Sequence, residues 1–484
     1  LAERHGIFTT EQPAEVITPV PLNITLPVVF GTAAINLTTL EDGPVNKPIL
    51  CESWNDVVAA FGYSDDWGNF TLSEFAHYFF KIAKLSPVVF VNVLDPTKHN
   101  AAVAASNFTL TDGVVTVAVQ GIIKSSVVVT SDDGSTTYTA GTDYSLTFNA
   151  SGNLVVSRIA SGTLTANSAV KIAYSKLDRS KVTAADIIGG VVEVTGEATG
   201  LELLDQVFPL FRIVPALIVA PGFSQNPTVA AVMTEKAASL NGGHFKAQAI
   251  TDLSSEIVYT DTPAWKKTNA YNDPRQINTY PLFTYDDRTY HSSTVAAAVI
   301  VQTDVNNGGV PSVSPSNKSA KIDGTKTDNR AIALGPQQAQ YLNANGIVTA
   351  LNFVGGFVLW GNRTGVYPDQ KDPQSSFIPV RRMFDWISNT LTLTYWKYLD
   401  GSIDKRLIEA ITDAANFWMN GLTAAGYILG GRVEFNASEN PVADLMDGKM
   451  KFHVYVTPPS PAQAIDFVLE YDTSYFAALF ATAA

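Results

Sequence analysis

Near residue 100 the hydrophobic period of this chain changes, and near residue 181 it changes back. Before the break, Val28-Val29-Phe30 and Val88-Val89-Phe90-Val91 read as buried strands. Trp54, Val57, Val58 and Phe61 fall at helical spacing, as do Leu72, Phe75, Ala76, Phe79 and Phe80. That is an α/β pattern. Between the two breaks, alternating Val/Thr/Ser/Tyr runs are separated by Asp112-Gly113, Asp133-Gly134, Gly141, Ser151-Gly152 and Gly162. Turn signals at that rhythm predict an antiparallel β-sandwich or barrel. From about residue 186 the α/β texture returns, with a strand and loop over 215–222 and a strand over 245–252 flanking a helix that opens at Pro227. The expected fold is therefore a multidomain α/β (α+β) one, its core drawn from the N- and C-terminal regions and interrupted by the β-rich segment.

The expected organisation is an extended arm over 1–22, where Pro13, Pro19 and Pro21 oppose helix, then the first part of the α/β scaffold over 23–99. The inserted β-rich outer domain spans 100–181, an α/β domain 182–364, a C-terminal core 365–463 and a terminal strand or arm 464–484. In the C-terminal core, Val380, Met383, Phe384, Ile387 and Leu391 define one apolar helix face, and Leu407, Ile411, Ala414, Trp418 and Leu422 another. The stretch 464–471 alternates as a strand with an apolar face.

With 484 residues the chain exceeds one ordinary core. Hydrophobic residues make up 46% and charged residues 16%, which leaves apolar surface for a partner to cover. The net charge of −13, without clustered Lys and Arg, argues against nucleic acid as a partner. Cys51 is the only cysteine, which excludes an intrachain disulfide and a cysteine-built zinc site. No apolar run has the length of a membrane span and residues 1–10 hold no hydrophobic signal core, so stable membrane insertion is not expected and synthesis in a cytoplasm is.

The sharpest catalytic candidate is Gly222-Phe223-Ser224-Gln225-Asn226, between a strand and a helix, with Asp252 and His291 following in hydrolase order. It lacks the second glycine of a nucleophile elbow, so a plain βα turn is the favoured reading. No P-loop or H-E-x-x-H is present and the histidines show no ligand spacing. No catalytic, metal or cofactor-binding residue is assigned, and no cofactor is expected. Arg381-Arg382 opens a helix, where cations sit badly beside the positive end of the dipole. The pair calls for a carboxylate partner within the subunit or on a neighbour, a plain solvated pair being the third alternative.

The last quarter carries an ordered set of segments. Gly356-Phe357-Val358-Leu359-Trp360-Gly361-Asn362-Arg363-Thr364 leads to 377–387, then to Gly426-Tyr427-Ile428-Leu429-Gly430-Gly431 and to 451–463, ending Val456-Thr457-Pro458-Pro459-Ser460-Pro461-Ala462-Gln463. Near the start, Gly6-Ile7-Phe8 and Phe30-Gly31-Thr32-Ala33 precede them. In this order the segments resemble the contractile tail sheath proteins. Two positions depart from that pattern: Asn362, where many relatives carry Ala, and Pro379, where a polar residue is usual.

The resemblance implies a subunit that polymerises with itself as stacked rings around an inner tail tube. Baseplate and tail terminator proteins are the further partners, and the virion tail or a tail-like particle is the location. It implies contraction from a metastable extended state, without nucleotide, that drives the tube through a target envelope. It also implies that arms of one subunit add strands to its neighbours' sheets. The arm residues would be Ile7, Phe8, Val16 and Ile17 at one end and Phe467, Val468, Leu469 and Tyr471 at the other. Trp360, Arg363, Arg381, Arg382 and Trp386 would shape the core or the subunit and tube contacts. The second reading is another virion or appendage structural or adhesion protein with an Ig-like decoration, and filament formation separates the two.

Overall fold

A computed structural model describes residues 22, 24–38 and 43–480, with side chains described up to 476. Its organising element is a nine-stranded sheet. In chain order the strands are β1 (Leu26–Gly31), β2 (Ile49–Cys51), β3 (Val88–Asn92), β4 (Pro215–Val219), β5 (Gln248–Asp252), β6 (Gln276–Thr279), β7 (Lys318–Ser319), β8 (Ile347–Asn352) and β9 (Phe357–Trp360). Their order across the sheet is β7-β9-β8-β6-β5-β4-β1-β3-β2. The pairs from β3 through β8 are parallel, whereas β2 and the β9–β7 edge run antiparallel. Parallel strands are covered on both faces, which is why β1 and β3 are unbroken apolar runs with every residue buried.

Asn92, at the carboxyl end of β3, is buried but satisfied. Asn92 accepts from the Ala33 and Leu94 amides at 3.0 and 3.1 Å and donates to the Leu94 carbonyl at 3.0 Å. The helix α1 (Ser292–Asn306) lies against the sheet with almost its whole length buried, so its sequence is apolar around most of its circumference rather than on one stripe.

The change of period at residue 100 corresponds to a change of architecture. Strands Asn100–Thr109, Ala169–Leu177, Val128–Ser131 and Thr137–Tyr138 form one antiparallel sheet, and Val114–Val117, Leu154–Arg158 and Tyr144–Phe148 form another. Leu110, Val117, Val129, Leu154, Val156 and Ile172 belong to a single hydrophobic cluster shared by the two.

The C-terminal region consists of α2 (Ile378–Tyr395), α3 (Lys405–Ala424) and the two-stranded sheet of Gly430–Glu434 and His453–Thr457. Met383, Trp386, Ile387, Met419, Leu422 and Val433 form its core; of the anticipated faces Val380, Met383, Ile387, Ile411, Ala414 and Leu422 are buried, while Phe384, Leu391, Leu407 and Trp418 are half-buried. Two expectations are corrected. The stretch 305–328, whose richness in Gly, Pro, Ser, Asn and Lys predicts a surface loop, contributes β7 to the main sheet and Gly324–Lys326 to a smaller one; strands of two or three residues are too short for an alternating pattern to announce them. Residues 464–471, read as a strand, carry neither strand nor helix in the single chain. A lone strand has no ladder to complete and buries nothing.

Candidate assembly surfaces and the buried ion pairs that hold them

The first turns of α2 begin with Pro379 and place Arg381 and Arg382 on different sides. Arg382 points inward and forms a two-pronged pair with Asp304 on α1: Nη1 donates to Oδ1 at 3.0 Å and Nη2 to Oδ2. Both side chains are almost completely buried, at 5% and 1% exposure. Asp304 also accepts the Thr25 hydroxyl at 2.6 Å, immediately before β1.

Arg381 turns to Asp385 one helical turn on, Nη2 to Oδ1 at 3.0 Å. The same carboxylate accepts Arg275 Nη2 at 3.0 Å and the Gln248 amide at 2.6 Å. Burial pulls the Arg381 guanidinium below its ordinary range, and Asp385 opposes that pull. Within this chain Asp304 and Asp385 supply carboxylates that offset the two cations at the helix N-terminus.

Trp386, one turn further, packs beside Trp418 and donates its Nε1–H to the Leu22 carbonyl at 2.9 Å. It thereby fixes residue 22, the last of the expected arm. The arm residues Ile7, Phe8, Val16 and Ile17 lie outside the described residues. Trp360 closes β9 onto the helix Pro336–Asn343: Asn343, in the amide orientation that satisfies both its ends, accepts Trp360 Nε1–H at 3.0 Å and donates to the Ile347 carbonyl at 2.8 Å.

Arg363 does at the other terminus what Trp386 does at the first. Its guanidinium lies over the Phe377 ring, 3.6 Å from the centroid, and over Tyr367 at 4.4 Å. It donates to Ser376 Oγ at 2.7 Å and to Gln463 Oε1 at 2.6 Å. Gln463 returns a hydrogen bond from Nε2 to Asn362 Oδ1 at 2.6 Å. Beyond this clamp the chain leaves the surface: Phe467, Val468, Leu469 and Tyr471 are 86%, 92%, 94% and 75% exposed. An Arg363→Ala variant is expected to lose about 1.5–3 kcal/mol in urea unfolding, because Ser376 and Gln463 lose a charged donor. Arg363→Lys is expected to recover only part of it, since an ammonium lacks the planar fork and stacking face.

No family model matches the chain. Over 489 aligned residues, covering 98% of both chains, it is 27% identical to the tail sheath protein of Burkholderia phage BcepMu. It is 27% identical over 310 residues to a putative prophage major tail sheath protein of Pseudomonas aeruginosa, covering 62% of this chain and 76% of that one. This chain is a homologue of tail sheath proteins. Its fold is similar to that of the sheath complex of an extracellular contractile injection system, PVC, in the contracted state, with a TM-score of 0.58, 14% identity and coverage of 98% and 99%. It is likewise similar to the contracted helical sheath of the anti-feeding prophage, with a TM-score of 0.57, 14% identity and coverage of 98% and 100%.

In this sheath homologue the Asn362 departure has a physical use, since alanine there could not accept the Gln463 amide. Asn226, where an elbow would place glycine, is the N-cap of the helix Pro227–Ala238, its side chain accepting the Thr228 amide at 3.0 Å. Ser224 is fully buried and donates to Asp252 at 3.1 Å, while His291 Nδ1 pairs with Glu74 at 2.7 Å. The three residues do not form a relay. Asp252 instead accepts the Ser293 amide at 2.8 Å and the Ser292 and Ser293 hydroxyls, capping α1. Among the described residues no group of three or more His, Cys, Asp or Glu is placed to hold a metal, and no helix is long and apolar enough to cross a membrane.

Sequence reasoning assigned no partner role to Asp304, Asp385, Thr25 or Gln463, although Asp385 and Gln463 lie in segments that carry the resemblance. Only Asp385 had a local signal, its i+4 spacing from Arg381.

Proposed function

We propose that this chain is the structural subunit of a contractile tail sheath. It polymerises helically around an inner tail tube, in a virion tail or tail-like particle, and contracts to drive the tube forward. The observation that carries the reading is the C-terminal tail: a clamped root at Gln463 followed by apolar side chains that the single chain leaves in solvent. Exposed apolar surface of that kind is covered by a partner.

A second copy of the chain supplies the cover. The strands Gly430–Glu434 and His453–Thr457 pair only with each other among the described residues, so each offers an outer edge. An extended arm from a neighbour adds a strand there through main-chain hydrogen bonds. Because the donor and acceptor surfaces differ, the contact is head-to-tail and generates a helix when it does not close. The two antiparallel sheets within 100–181 form an inserted β-sandwich that decorates the outside, and Trp360, Arg363, Arg381, Arg382 and Trp386 shape the core that presents the arms. Inner tube, baseplate and terminator proteins are the remaining partners. The role is mechanical, with no catalytic residue and no cofactor.

Electron microscopy of the purified full chain beside a chain ending at residue 463 tests the reading. Hollow tubes are expected from the full chain and monodisperse particles, with unchanged circular dichroism, from the truncated one. Tubes from both would sink the arm assignment. Globular particles from both would sink the sheath reading.

A further inference from the structure

A shallow cavity of about 280 Å³ is lined by Tyr259, Thr260, Gln337, Gln338 and Tyr341. Tyr259 and Thr260 follow β5 beyond its carboxyl end, and the helix Pro336–Asn343 leads back toward the start of β8. The cavity therefore opens on the side of the sheet where parallel α/β folds build their ligand sites. The two tyrosine rings that line it meet edge to face, with centroids 6.1 Å apart and planes at 86°. Tyr341 is held in place by a hydrogen bond from its hydroxyl to the Thr260 carbonyl at 3.1 Å, yet is 42% exposed.

The chemistry of the lining is specific in what it lacks and what it leaves free. None of its side chains is charged, which disfavours phosphates, carboxylates and ammonium ions. The carboxamides of Gln337 and Gln338 and the hydroxyl of Tyr259 make no hydrogen bond to the described residues, so neutral donors and acceptors line the cleft beside the two rings. A ligand that matches this pattern has an apolar face of C–H bonds to lie on a ring and a rim of hydroxyls for paired amides.

We propose that this cleft binds a neutral hexopyranose ring. The ring stacks on Tyr341, and Gln337 and Gln338 hydrogen-bond adjacent hydroxyls. The sugar is either a free unit or one residue of a neutral polysaccharide, and the two share this contact.

Saturation-transfer NMR on the full chain, with methyl glucoside, galactoside and mannoside and with a neutral oligosaccharide of each sugar, tests the proposal. Transfer to ring C–H protons of at least one sugar is expected. It should be lost in Tyr341→Ala, weakened in Gln337→Ala and retained in Tyr341→Phe, which keeps the stacking face. Signals confined to the oligosaccharide identify a polysaccharide as the source, and equal signals on both identify a single ring. Absence of transfer from every sugar, or transfer unchanged in Tyr341→Ala, overturns the proposal. Circular dichroism of each variant shows whether the fold is intact; should Tyr341→Ala unfold, Gln337→Ala carries the test, and transfer unchanged in it overturns the proposal.

Discussion

Replacing Arg382 by alanine is expected to destabilise the subunit by about 3–5 kcal/mol, read as the shift of its urea midpoint. The pair with Asp304 is nearly inaccessible to water, so removing the guanidinium leaves a buried carboxylate supported, among the described residues, by the Thr25 hydroxyl alone. Charge reversal at Arg382 adds repulsion to that desolvation and is expected to leave little folded chain. The double variant Arg382→Met with Asp304→Leu, which removes both charges, is expected to recover most of the loss, because a buried pair replaced by apolar groups is often neutral. If Arg382→Ala unfolds at the same urea concentration as the unaltered chain, the pair is not structural. Impaired polymerisation of Arg382 variants is thus expected to follow from loss of the subunit fold.

Between pH 6.5 and 9 the subunit is expected to lose about 3 kcal/mol through His291. Burial works against a charge on this imidazole, but the Glu74 carboxylate 2.7 Å from Nδ1, with help from Asp252, outweighs it and lifts the group from 6.5 to about 9. The folded state therefore holds the proton more tightly than the unfolded state does. The stabilisation is complete below the unfolded value and drains away as pH rises through the folded one. Lys266, held down to about 8 by burial, titrates in the opposite sense above pH 8. The quantity to measure is accordingly the difference between the unaltered chain and His291→Gln at each pH. A difference that does not shrink between pH 6.5 and 9 would show that His291 is not charged in the fold.

Much of the architecture is legible because burial on both faces demands unbroken apolar runs. β1 and β3 announce themselves in that way, and the helix faces of α2 and α3 follow from spacing alone. The change of period at residue 100 marks the two antiparallel sheets because their turns need Gly at positive φ, as at Gly113 and Gly134. What sequence does not reveal is pairing across distance. Nothing near Arg382 indicates that its partner is Asp304, on a helix that precedes it by seventy-eight residues. Gln463 has no pattern that distinguishes it from a solvated residue until Arg363 and Asn362 are seen beside it. The terminal strand reads correctly as a pattern and incorrectly as a structure of one chain, since alternation encodes a preference that only a second ladder can satisfy.

The clamp at Gln463 and the anchor at Leu22 end on neighbouring parts of the same region, the segment from Asn362 to Trp386. In a lattice joined by exchanged arms, tension entering through one terminus leaves through the other along this short path. On the proposed arm-exchange reading it would pass through α2 and its ion pairs and bypass both the β-rich module and most of the nine-stranded sheet, making the segment the yoke of the subunit. Parts off the load line are then free to vary in size and surface without altering how the polymer transmits force.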